Sequence, residues 1–372
     1  MTAIAITGAD GFLGWHLRCR LRALSPNTTV LPIDRNSFSD SRLEAALQLA
    51  DVVIHLAAIN SHDPDLAAQN HAITERLLSA LATTSTVSSV IFANSTHSLT
   101  DSPYGAAKRR VAEELRIWAN KHGATFSDLL FPNLFGEGGR PFTNSVVATM
   151  CDSFVHGSPF TMNPDGQTEL LHAQDASDLL IEAASQREDC SRRVNGHSIS
   201  VPELFEILDS MFQTYSGTNV IPPFADEFGL HLFNQLRFAM YPDFAPVSLR
   251  SGVDDRGSYT ELARSFEGSQ VSVSTTRPGA VRGQHFHFNK VERFAVVAGT
   301  ATIQIRRLFD DRVRSFELNG DSPSFIDIPT LHTHNLINSG EDELITVFWS
   351  NDHFDPANPD TFSELVNLET TP

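Results

Sequence analysis

The stretch from Ala3 to Leu24 constrains the fold of this chain more than any other. A short apolar run, AIAIT, leads into three spaced glycines, Gly8, Gly11 and Gly14, and then into an amphipathic segment. Between a strand and a helix, the first glycine permits a tight turn. The later two let the backbone approach a pyrophosphate at the helix N-terminus. The stretch therefore predicts the first strand and helix of a nucleotide-binding domain.

Three further apolar runs continue the pattern, namely TVLPI at 29–33, DVVIHLAA at 51–58 and SSVIFAN at 88–94. Helical patterns lie between them. Strands that are continuously apolar, with no polar alternation, are typical of a parallel sheet covered on both faces. We therefore predict an α/β N-terminal domain, a Rossmann-like doubly wound parallel sheet.

The pattern changes near residue 244. Turns become frequent, and runs such as QVSVSTT, ATIQIRR and LITVFWS read as short strands, several of them alternating in polarity. These features predict an all-β C-terminal domain, a jelly-roll barrel. The proline-containing stretch YPDFAPVS predicts a linker. We place the domains at 1–243 and 251–372, with the linker at 244–250.

The net charge narrows the range of partners. The 372 residues carry a formal charge of −18, which argues against nucleic acid and anionic membranes as partners. An anionic ligand would then need local donors such as helix N-termini and a few arginines. The sequence shows no basic-then-apolar leader and no apolar run long enough to span a membrane. We therefore expect a cytoplasmic protein.

Asp34 and Arg35 close the second predicted strand. An acid at this point can hold the ribose 2′-hydroxyl of NAD, whereas an arginine can pair with the 2′-phosphate of NADP. Either residue could instead be a solvated loop charge. The expected cofactor is NADPH, with NADH as the alternative.

Tyr104 and Lys108 are four residues apart in SPYGAAKRR and so share a helical face, and Ser95 ends the fourth predicted strand. A free tyrosine ionises near pH ~10, and a nearby ammonium should lower that pKa by stabilising the phenolate. Tyr104 would then exchange a proton with a substrate oxygen while a nicotinamide moves the hydride. Ser95, or alternatively Thr96, would hydrogen-bond the same oxygen.

The motifs TGADGFLG, VIHLAA, YGAAK and PNLFG, with Ser95, resemble the extended short-chain dehydrogenase/reductase family across residues 1–243. The resemblance implies a nucleotide-sugar substrate close to Ser95 and Asn133. It implies a dinucleotide held by Gly8, Gly11, Phe12, Leu13, Gly14, Asp34, Arg35, Leu56, Ala57, Ala58, Tyr104 and Lys108. Two departures stand out. Only eight residues separate Ser95 from Tyr104, which shortens the substrate loop, and Leu130 stands where the family often has arginine.

A second group of polar residues lies in GAVRGQHFHFNKVERFAVVAG, residues 279–299. His285 and His287 are two apart on a predicted strand and so point to the same side. With Glu292 and a later histidine they could supply the imidazoles and carboxylate of a metal site with an open position.

The spacing of this group resembles the first cupin motif, and Pro329, His334 and Asn338 resemble the end of the second, with Leu331 in place of a glycine. The resemblance implies Zn²⁺ or another divalent metal on His285, His287, Glu292 and His334. The alternatives are a cupin without metal, or a barrel that serves only as a dimer interface.

The stretches DDRGSYTE and QVSVSTTRPGAVRGQH also resemble the deoxysugar 3,5-epimerases. In that family the histidine of RG-x-H, here His285, is the catalytic base and no metal is needed. A histidine bound to a cation cannot accept a proton through the same nitrogen, so the two roles of His285 compete. By the same resemblance Arg256 and Arg282 would bind the substrate diphosphate. Either arginine could instead be a surface charge.

The two halves share a chemical requirement, which is a ketone. A proton beside a ketone can be removed because the enolate is delocalised, and reduction of that ketone ends the acidity. The barrel would therefore act first and the reductase second on one keto sugar.

The whole chain, through ITGADGFLG, PNLFG, VDDRGSYTE, RGQHFH and DPANPDTF, resembles a family of bifunctional capsular polysaccharide enzymes in which an extended reductase is fused to a C-terminal cupin. That resemblance implies epimerisation at carbon 3 of a UDP-2-acetamido-2,6-dideoxy-hexos-4-ulose. NADPH-dependent reduction at carbon 4 then gives UDP-2-acetamido-2,6-dideoxy-L-talose, a precursor of UDP-N-acetyl-L-fucosamine. The resemblance also implies a homodimer.

Two other hypotheses remain open. The first is a monofunctional NAD(P)-dependent 4-keto-sugar reductase whose cupin is only a dimerisation or sugar-binding module. The second is a sensor that binds NAD(P) and metal without turnover, against which the Ser95, Tyr104 and Lys108 set argues.

Overall fold

The computed structural model describes residues 2–59, 65–248, 251–254, 257–260, 270–351 and 359–367. The helices are α1 Phe12–Leu24, α2 Arg35–Phe38, α3 Arg42–Leu49, α4 Leu66–Leu81, α5 Pro103–His122, α6 Val146–His156, α7 Ala173–Gln186, α8 Val201–Thr218 and α9 Glu227–Met240, with a 3₁₀ turn at Thr96–Leu99. Among these described helices, none combines the length and apolar character that crossing a lipid bilayer requires.

The strands are β1 Ala3–Thr7, β2 Thr29–Ile33, β3 Val52–His55, β4 Ser89–Ser95, β5 Thr125–Phe131, β6 Asn133–Phe135, β7 Gln167–His172, β8 Cys190–Arg193, β9 His197–Ser200, β10 Val247–Ser248, β11 Ser251–Asp254, β12 Gly257–Thr260, β13 Gln270–Thr276, β14 Val281–Phe286, β15 Glu292–Ala298, β16 Thr300–Arg307, β17 Val313–Asn319, β18 Ser324–Ile328, β19 His332–Asn338, β20 Leu344–Ser350 and β21 Phe362–Ser363.

The chain forms two compact units. The first comprises Met1–Ser153 and Ser158–Phe205, and the second comprises Phe154–Gly157 and Glu206–Pro372. The division between these units falls inside α8. The domain boundary at 244–250, which was drawn from composition, stays a prediction.

The first unit contains a six-stranded sheet in the order β2-β1-β3-β4-β5-β8, and every pair of neighbours is parallel. Apolar side chains of α3, α4 and α5 cover one face, and those of α1 and α7 cover the other. This arrangement confirms the predicted Rossmann-like fold. The chain changes direction between β1 and β3, and ligands of such sheets bind beyond the carboxyl ends of the strands at this switch point.

The second unit contains two five-stranded sheets, in the orders β10-β18-β15-β20-β13 and β17-β16-β19-β14-β21, and all their pairings are antiparallel. Residues of both sheets share one apolar core, which includes Phe294 and Ile326 of one sheet and Ile303 and Leu336 of the other. This architecture is consistent with the predicted cupin-type barrel.

Candidate active sites

The turn between β1 and α1 has no room for a side chain at Gly8 or Gly14. Gly8 adopts a φ of +70°, and a Cβ there would lie 2.9 Å from the backbone nitrogen of Ala57. A Cβ at Gly14 would lie 2.3 Å from the carbonyl oxygen of Gly8. Gly11 is the N-cap of α1 and supplies no side-chain cap, and Phe12 and Leu13 follow it in the first turn. The geometry fits a diphosphate held by the helix N-terminus.

If this turn binds the expected dinucleotide, Gly14→Ala should weaken that binding by about tenfold or more, because the new methyl group forces α1 away from the carbonyl of Gly8. A fluorescence titration with NADPH would measure the dissociation constant. Gly217→Ala is the matched control, since Gly217 is also helical and a Cβ there meets nothing within 4 Å. Equal NADPH affinity in the Gly14→Ala protein and the wild type would contradict the assignment.

The segment after β3 lies at the same sheet edge as this turn. The hydroxyl of Thr7 accepts hydrogen bonds from the backbone nitrogens of Leu56 and Ala57, each at 3.2 Å. Leu56, Ala57 and Ala58 thus follow β3 directly opposite the glycine turn, on the other side of the switch point. This is the place that sequence motifs predict for cofactor-binding residues.

Asp34 is a helix cap in this structure. Its carboxylate accepts a hydrogen bond from the backbone nitrogen of Ser37 at 2.6 Å and another from the Ser37 hydroxyl. These two hydrogen bonds hold the pKa of Asp34 below its usual value. Arg35 begins α2 with an exposed side chain. The carboxylate is therefore engaged by its own helix, while the arginine faces solvent.

Ser95, Tyr104 and Lys108 come from two neighbouring elements. Ser95 ends β4, and its hydroxyl oxygen accepts a hydrogen bond from the backbone nitrogen of His97 at 3.2 Å. That bond leaves the hydroxyl proton available for a substrate oxygen. Lys108 lies one turn after Tyr104 on α5. Its Nζ donates to the carbonyl of Ala93 at 3.3 Å and lies 5.9 Å from the centroid of the Tyr104 ring.

Burial, not charge, dominates the ionisation of this pair. Desolvation raises the pKa of Tyr104 to about 12. Desolvation also lowers the pKa of Lys108 to about 8, against an opposing effect of the Asp128 carboxylate. The expected lowering of the tyrosine pKa by the ammonium is therefore wrong for this structure, because the loss of water around the hydroxyl outweighs it. A protonated Tyr104 is the form that can donate a proton to a carbonyl oxygen.

The shortened segment between Ser95 and Tyr104 contains a 3₁₀ turn, Thr96–Leu99, that packs against the start of α5. A Cβ at Gly105 would lie 2.1 Å from the carbonyl oxygen of His97. The His97 ring meets the Tyr104 ring edge-on, with 5.9 Å between centroids. Glycine at 105 thus allows the helix with Tyr104 to approach the turn that follows Ser95.

The predicted substrate residue Asn133 begins β6 and is exposed. Its side-chain amide donates to the hydroxyl of Thr168 on β7 at 3.1 Å. Ser95 pairs with Phe131 in the main sheet, so Asn133 follows two residues beyond that pairing. Leu130, which stands where the related family often has arginine, is buried.

The four predicted metal ligands converge in the second unit. One nitrogen or oxygen atom from each of His285, His287, Glu292 and His334 lies within 4.8 Å of the others. The three histidines come from or adjoin the sheet of β14 and β19, where His285 pairs with His334, and Glu292 begins β15 of the facing sheet. Bonds of about 2.0–2.2 Å from a central ion would require only a small contraction of this set.

The hydrogen bonds of His287 prepare it as a ligand. Its Nδ1 donates to the carbonyl of Asp360 at 2.5 Å, which leaves Nε2 directed at the Glu292 carboxylate, 2.9 Å away. A neutral imidazole would then present a lone pair to an anion, so the contact calls for a proton or a cation. Burial opposes the protonated form, but the charge and hydrogen bond of Glu292 outweigh it and raise the pKa of His287.

The other three side chains also fit a divalent cation. Nε2 of His334 is fully buried and lies 3.4 Å from Glu292, yet within the described residues it has no hydrogen-bond partner. Burial, followed by the neighbouring His334, lowers the pKa of His285 to about 3. Burial opposes ionisation of Glu292, but the two histidines hold its pKa well below the usual value. Neutral imidazoles facing a carboxylate are a donor set that suits zinc.

Of the two arginines predicted to bind the diphosphate, only Arg282 lies in the part of the chain that the structure describes. Arg282 lies on β14 and is exposed, and its guanidinium donates to the hydroxyl of Thr276 and the carbonyl of Thr275, both at 2.9 Å. Arg256 lies outside the described residues. A bulge in β14 separates Arg282 from His285, where a Cβ at Gly283 would lie 2.7 Å from the carbonyl of His334.

Sequence reasoning missed two buried polar residues beside Ser95. Asn94 precedes it on β4, and Asp128 lies on β5 with 5% of its surface exposed. The amide of Asn94 donates to the Asp128 carboxylate at 2.9 Å. An acid inside the predominantly buried strand sequence TFSDLLF was the signal that could have found this pair.

Three features together are typical of enzymes that use a dinucleotide cofactor. They are the parallel sheet, the glycine turn, and the set formed by Ser95, Tyr104 and Lys108. Residues 4–195 match the NAD dependent epimerase/dehydratase family, and the chain belongs to that family. Residues 252–362 match the polysaccharide biosynthesis C-terminal domain.

Two of three similar proteins align with almost the whole chain, and the third aligns with less than a third of it. The structure of the capsular polysaccharide assembling protein CapF from Staphylococcus aureus is 29% identical, covers 98% of this chain and all of its own, and superposes with a TM-score of 0.62. The UDP-2-acetamido-2,6-beta-L-arabino-hexul-4-ose reductase of Pseudomonas aeruginosa is 27% identical over 97% of this chain and 98% of its own. The spore coat polysaccharide biosynthesis protein SpsL of Bacillus subtilis is 26% identical over 29% of this chain and 78% of its own. The chain is thus similar to CapF-type enzymes from end to end.

Proposed function

We propose that this chain is a bifunctional nucleotide-sugar enzyme. Its cupin would epimerise carbon 3 of a UDP-2-acetamido-2,6-dideoxy-hexos-4-ulose, and its reductase would then reduce the carbon-4 ketone to UDP-2-acetamido-2,6-dideoxy-L-talose. The observation that carries the proposal is the presence of two separate side-chain sets on one chain, Ser95, Tyr104 and Lys108 in one unit and a histidine–glutamate cluster in the other. The similarity to a 4-ulose reductase and to CapF supports the substrate class.

In the reductase, protonated Tyr104 would donate its proton to the ketone oxygen as the carbon receives a hydride. Ser95 would donate a second hydrogen bond to the same oxygen and so hold the carbonyl in place. The ammonium of Lys108 would stabilise the phenolate that forms. A nicotinamide cofactor held at the glycine turn would supply the hydride. The exposed Arg35 favours NADPH over NADH in this proposal.

In the cupin, His285, His287, Glu292 and His334 would together hold Zn²⁺ or another divalent cation, which would act as a Lewis acid toward the enolate oxygen. His285 presents a ring nitrogen to the same cluster as the other three side chains, and a nitrogen that binds a cation cannot also accept a proton, so we propose it as a ligand and not as the proton acceptor. The imidazoles come from or adjoin one sheet of the barrel, and the carboxylate comes from the other. By the same likeness to CapF-type enzymes we propose a cytoplasmic homodimer.

An exchange experiment in heavy water tests the proposal. The UDP-linked 4-keto sugar is incubated with enzyme but without NADPH, and deuterium at carbon 3 is measured by mass spectrometry. We expect uptake without NADPH and loss of nicotinamide absorbance once NADPH is added. Absorbance loss without any deuterium uptake would favour the monofunctional reductase with a cupin that only dimerises or binds sugar. If neither deuterium uptake nor absorbance loss were seen, the non-enzymatic sensor would be the better description.

The rate of reduction should fall above pH about 8. Tyr104 stays protonated because its pKa is raised to about 12, whereas Lys108, with a pKa lowered to about 8, loses its positive charge as the pH rises. The kcat, followed by NADPH absorbance from pH 6 to 10, should then decline about tenfold per pH unit on the alkaline side. The Lys108→Arg variant keeps a positive charge at position 108 throughout this range. Its kcat should be lower than that of the wild type but independent of pH from 6 to 10. An unchanged kcat up to pH 10 in the wild type would refute the role of Lys108.

A further inference from the structure

Asp128 is a buried acid that the proposed reaction does not use. It lies in the middle of β5, in register with Phe92 of β4 on one side and Ser191 of β8 on the other. Burial raises the pKa of Asp128, and its hydrogen bond from Asn94 is the largest effect in the opposite direction. A buried carboxylate lowers the stability of the fold unless hydrogen bonds or opposite charges compensate for its lost hydration. Its contacts therefore indicate what it does.

The first contact leads to Ser95. The side-chain nitrogen of Asn94 donates to Oδ1 of Asp128 at 2.9 Å, and the side-chain oxygen of Asn94 accepts from the backbone nitrogen of Ser95 at 2.8 Å. An ionised carboxylate can only accept, so it compels Asn94 to present its NH₂ group on that side. The amide oxygen is then turned toward Ser95. Asp128 thus fixes the orientation of Asn94, and Asn94 fixes the backbone of Ser95.

The second interaction of Asp128 is electrostatic and involves Lys108. Buried Lys108 is surrounded by the rings of Phe92 and Tyr104 and by His55 on β3, none of which carries a negative charge at neutral pH. Asp128 on β5 is the acid whose charge favours the lysine ammonium. On its far side Asp128 faces the hydroxyl of Ser191 at 3.4 Å and the half-exposed guanidinium of Arg116 at 3.9 Å. Asp128 therefore stands between the surface and the two site residues.

We propose that Asp128 is a positioning residue of the reductase site, which orients Ser95 through Asn94 and provides the buried counter-charge for Lys108. It touches neither substrate nor cofactor in this role. The proposal rests on the proposed reductase function, and it assigns a task to an acid that the catalytic motifs leave unexplained.

Two variants separate the two effects. Asp128→Asn removes both the charge and the fixed orientation of Asn94, so kcat for reduction should fall about tenfold or more. The alkaline decline of kcat should also begin about one pH unit lower. Asn94→Ala breaks the link to Ser95 but keeps the charge, so kcat should fall while the alkaline decline stays where it is. The dissociation constant for NADPH, measured by fluorescence, should stay within about twofold in both variants.

Ser191→Ala is the control, since it removes a hydrogen bond to Asp128 on the side away from Ser95. It should leave kcat and the pH profile unchanged. A similar loss in Ser191→Ala and Asp128→Asn would show a general disturbance of β5 and overturn the proposal. The proposal would also be overturned if the Asp128→Asn variant had the same kcat and pH profile as the wild type. If Asp128→Asn does not fold, Asn94→Ala decides alone, because an unchanged kcat there removes the link to Ser95. An inactive wild type would instead defeat the proposed function itself.

Discussion

Tyr104→Phe is expected to lower kcat for reduction of the keto sugar by about 10²–10⁴-fold, the usual worth of a general acid. The ring would remain in place beside Lys108 and His97, so only the proton donor is lost. Deuterium uptake at carbon 3 in heavy water should continue at the wild-type rate, because the histidine–glutamate cluster lies in the other compact unit. Absorbance of NADPH and mass spectrometry of the sugar would measure the two activities separately.

Tyr241→Phe provides a matched control. Burial raises the pKa of Tyr241 to about 12, as it does for Tyr104, but Tyr241 belongs to the second unit and contacts the ring of His332. This variant should keep wild-type reduction. Loss of both reduction and deuterium uptake in Tyr104→Phe would contradict two independent sites.

His287→Ala is expected to reduce the affinity for a divalent metal by more than about 100-fold, since even residues that only support metal ligands are worth 10–100-fold. The variant removes a nitrogen that faces Glu292 and is held in position by the carbonyl of Asp360. Elemental analysis of the purified protein should find about one zinc per wild-type chain and much less in the variant. Deuterium uptake at carbon 3 should fall in parallel.

His332→Ala controls for damage to the barrel. His332 is buried, and its Nδ1 bonds the carbonyl of Thr330 at 2.9 Å while its ring contacts Phe238, so it lies outside the cluster. This variant should lose stability but keep its zinc. Full zinc content in His287→Ala would refute the ligand assignment, and loss of zinc in both variants would indicate collapse of the barrel.

The parts of the fold and sites that depend on short-range spacing could be predicted from the sequence. The glycine turn follows from a strand, three glycines and a helix within a few residues, and Tyr104 and Lys108 share a face because they are four apart. His285, His287 and Glu292 likewise lie close along the chain. His334, in contrast, could be placed with them only by likeness to a known motif, because β14 and β19 are neighbours in space and not in sequence.

The features that the sequence did not predict depend on which elements become neighbours. Asn94 and Asp128 meet because β4 lies beside β5, and no local pattern announces their hydrogen bond. The pKa of Tyr104 depends on how much water the fold removes, which the one-turn spacing to Lys108 does not reveal. Asp34 is one of two candidates for contact with the ribose, and in the structure its carboxylate caps α2. The serine three residues later was the available signal for that cap.

The contact between Gly105 and the 3₁₀ turn also limits how a chain of this kind can diversify. An extra residue between Ser95 and Tyr104 would have to be accommodated where a single methyl group at 105 already meets the carbonyl of His97. An insertion that moved α5 away from this turn would separate the serine hydroxyl from the tyrosine hydroxyl, so a longer segment, of the kind the related family carries, has to loop out without disturbing this contact. An engineer who lengthens this segment to change the substrate should therefore place the added residues away from the contact between His97 and Gly105.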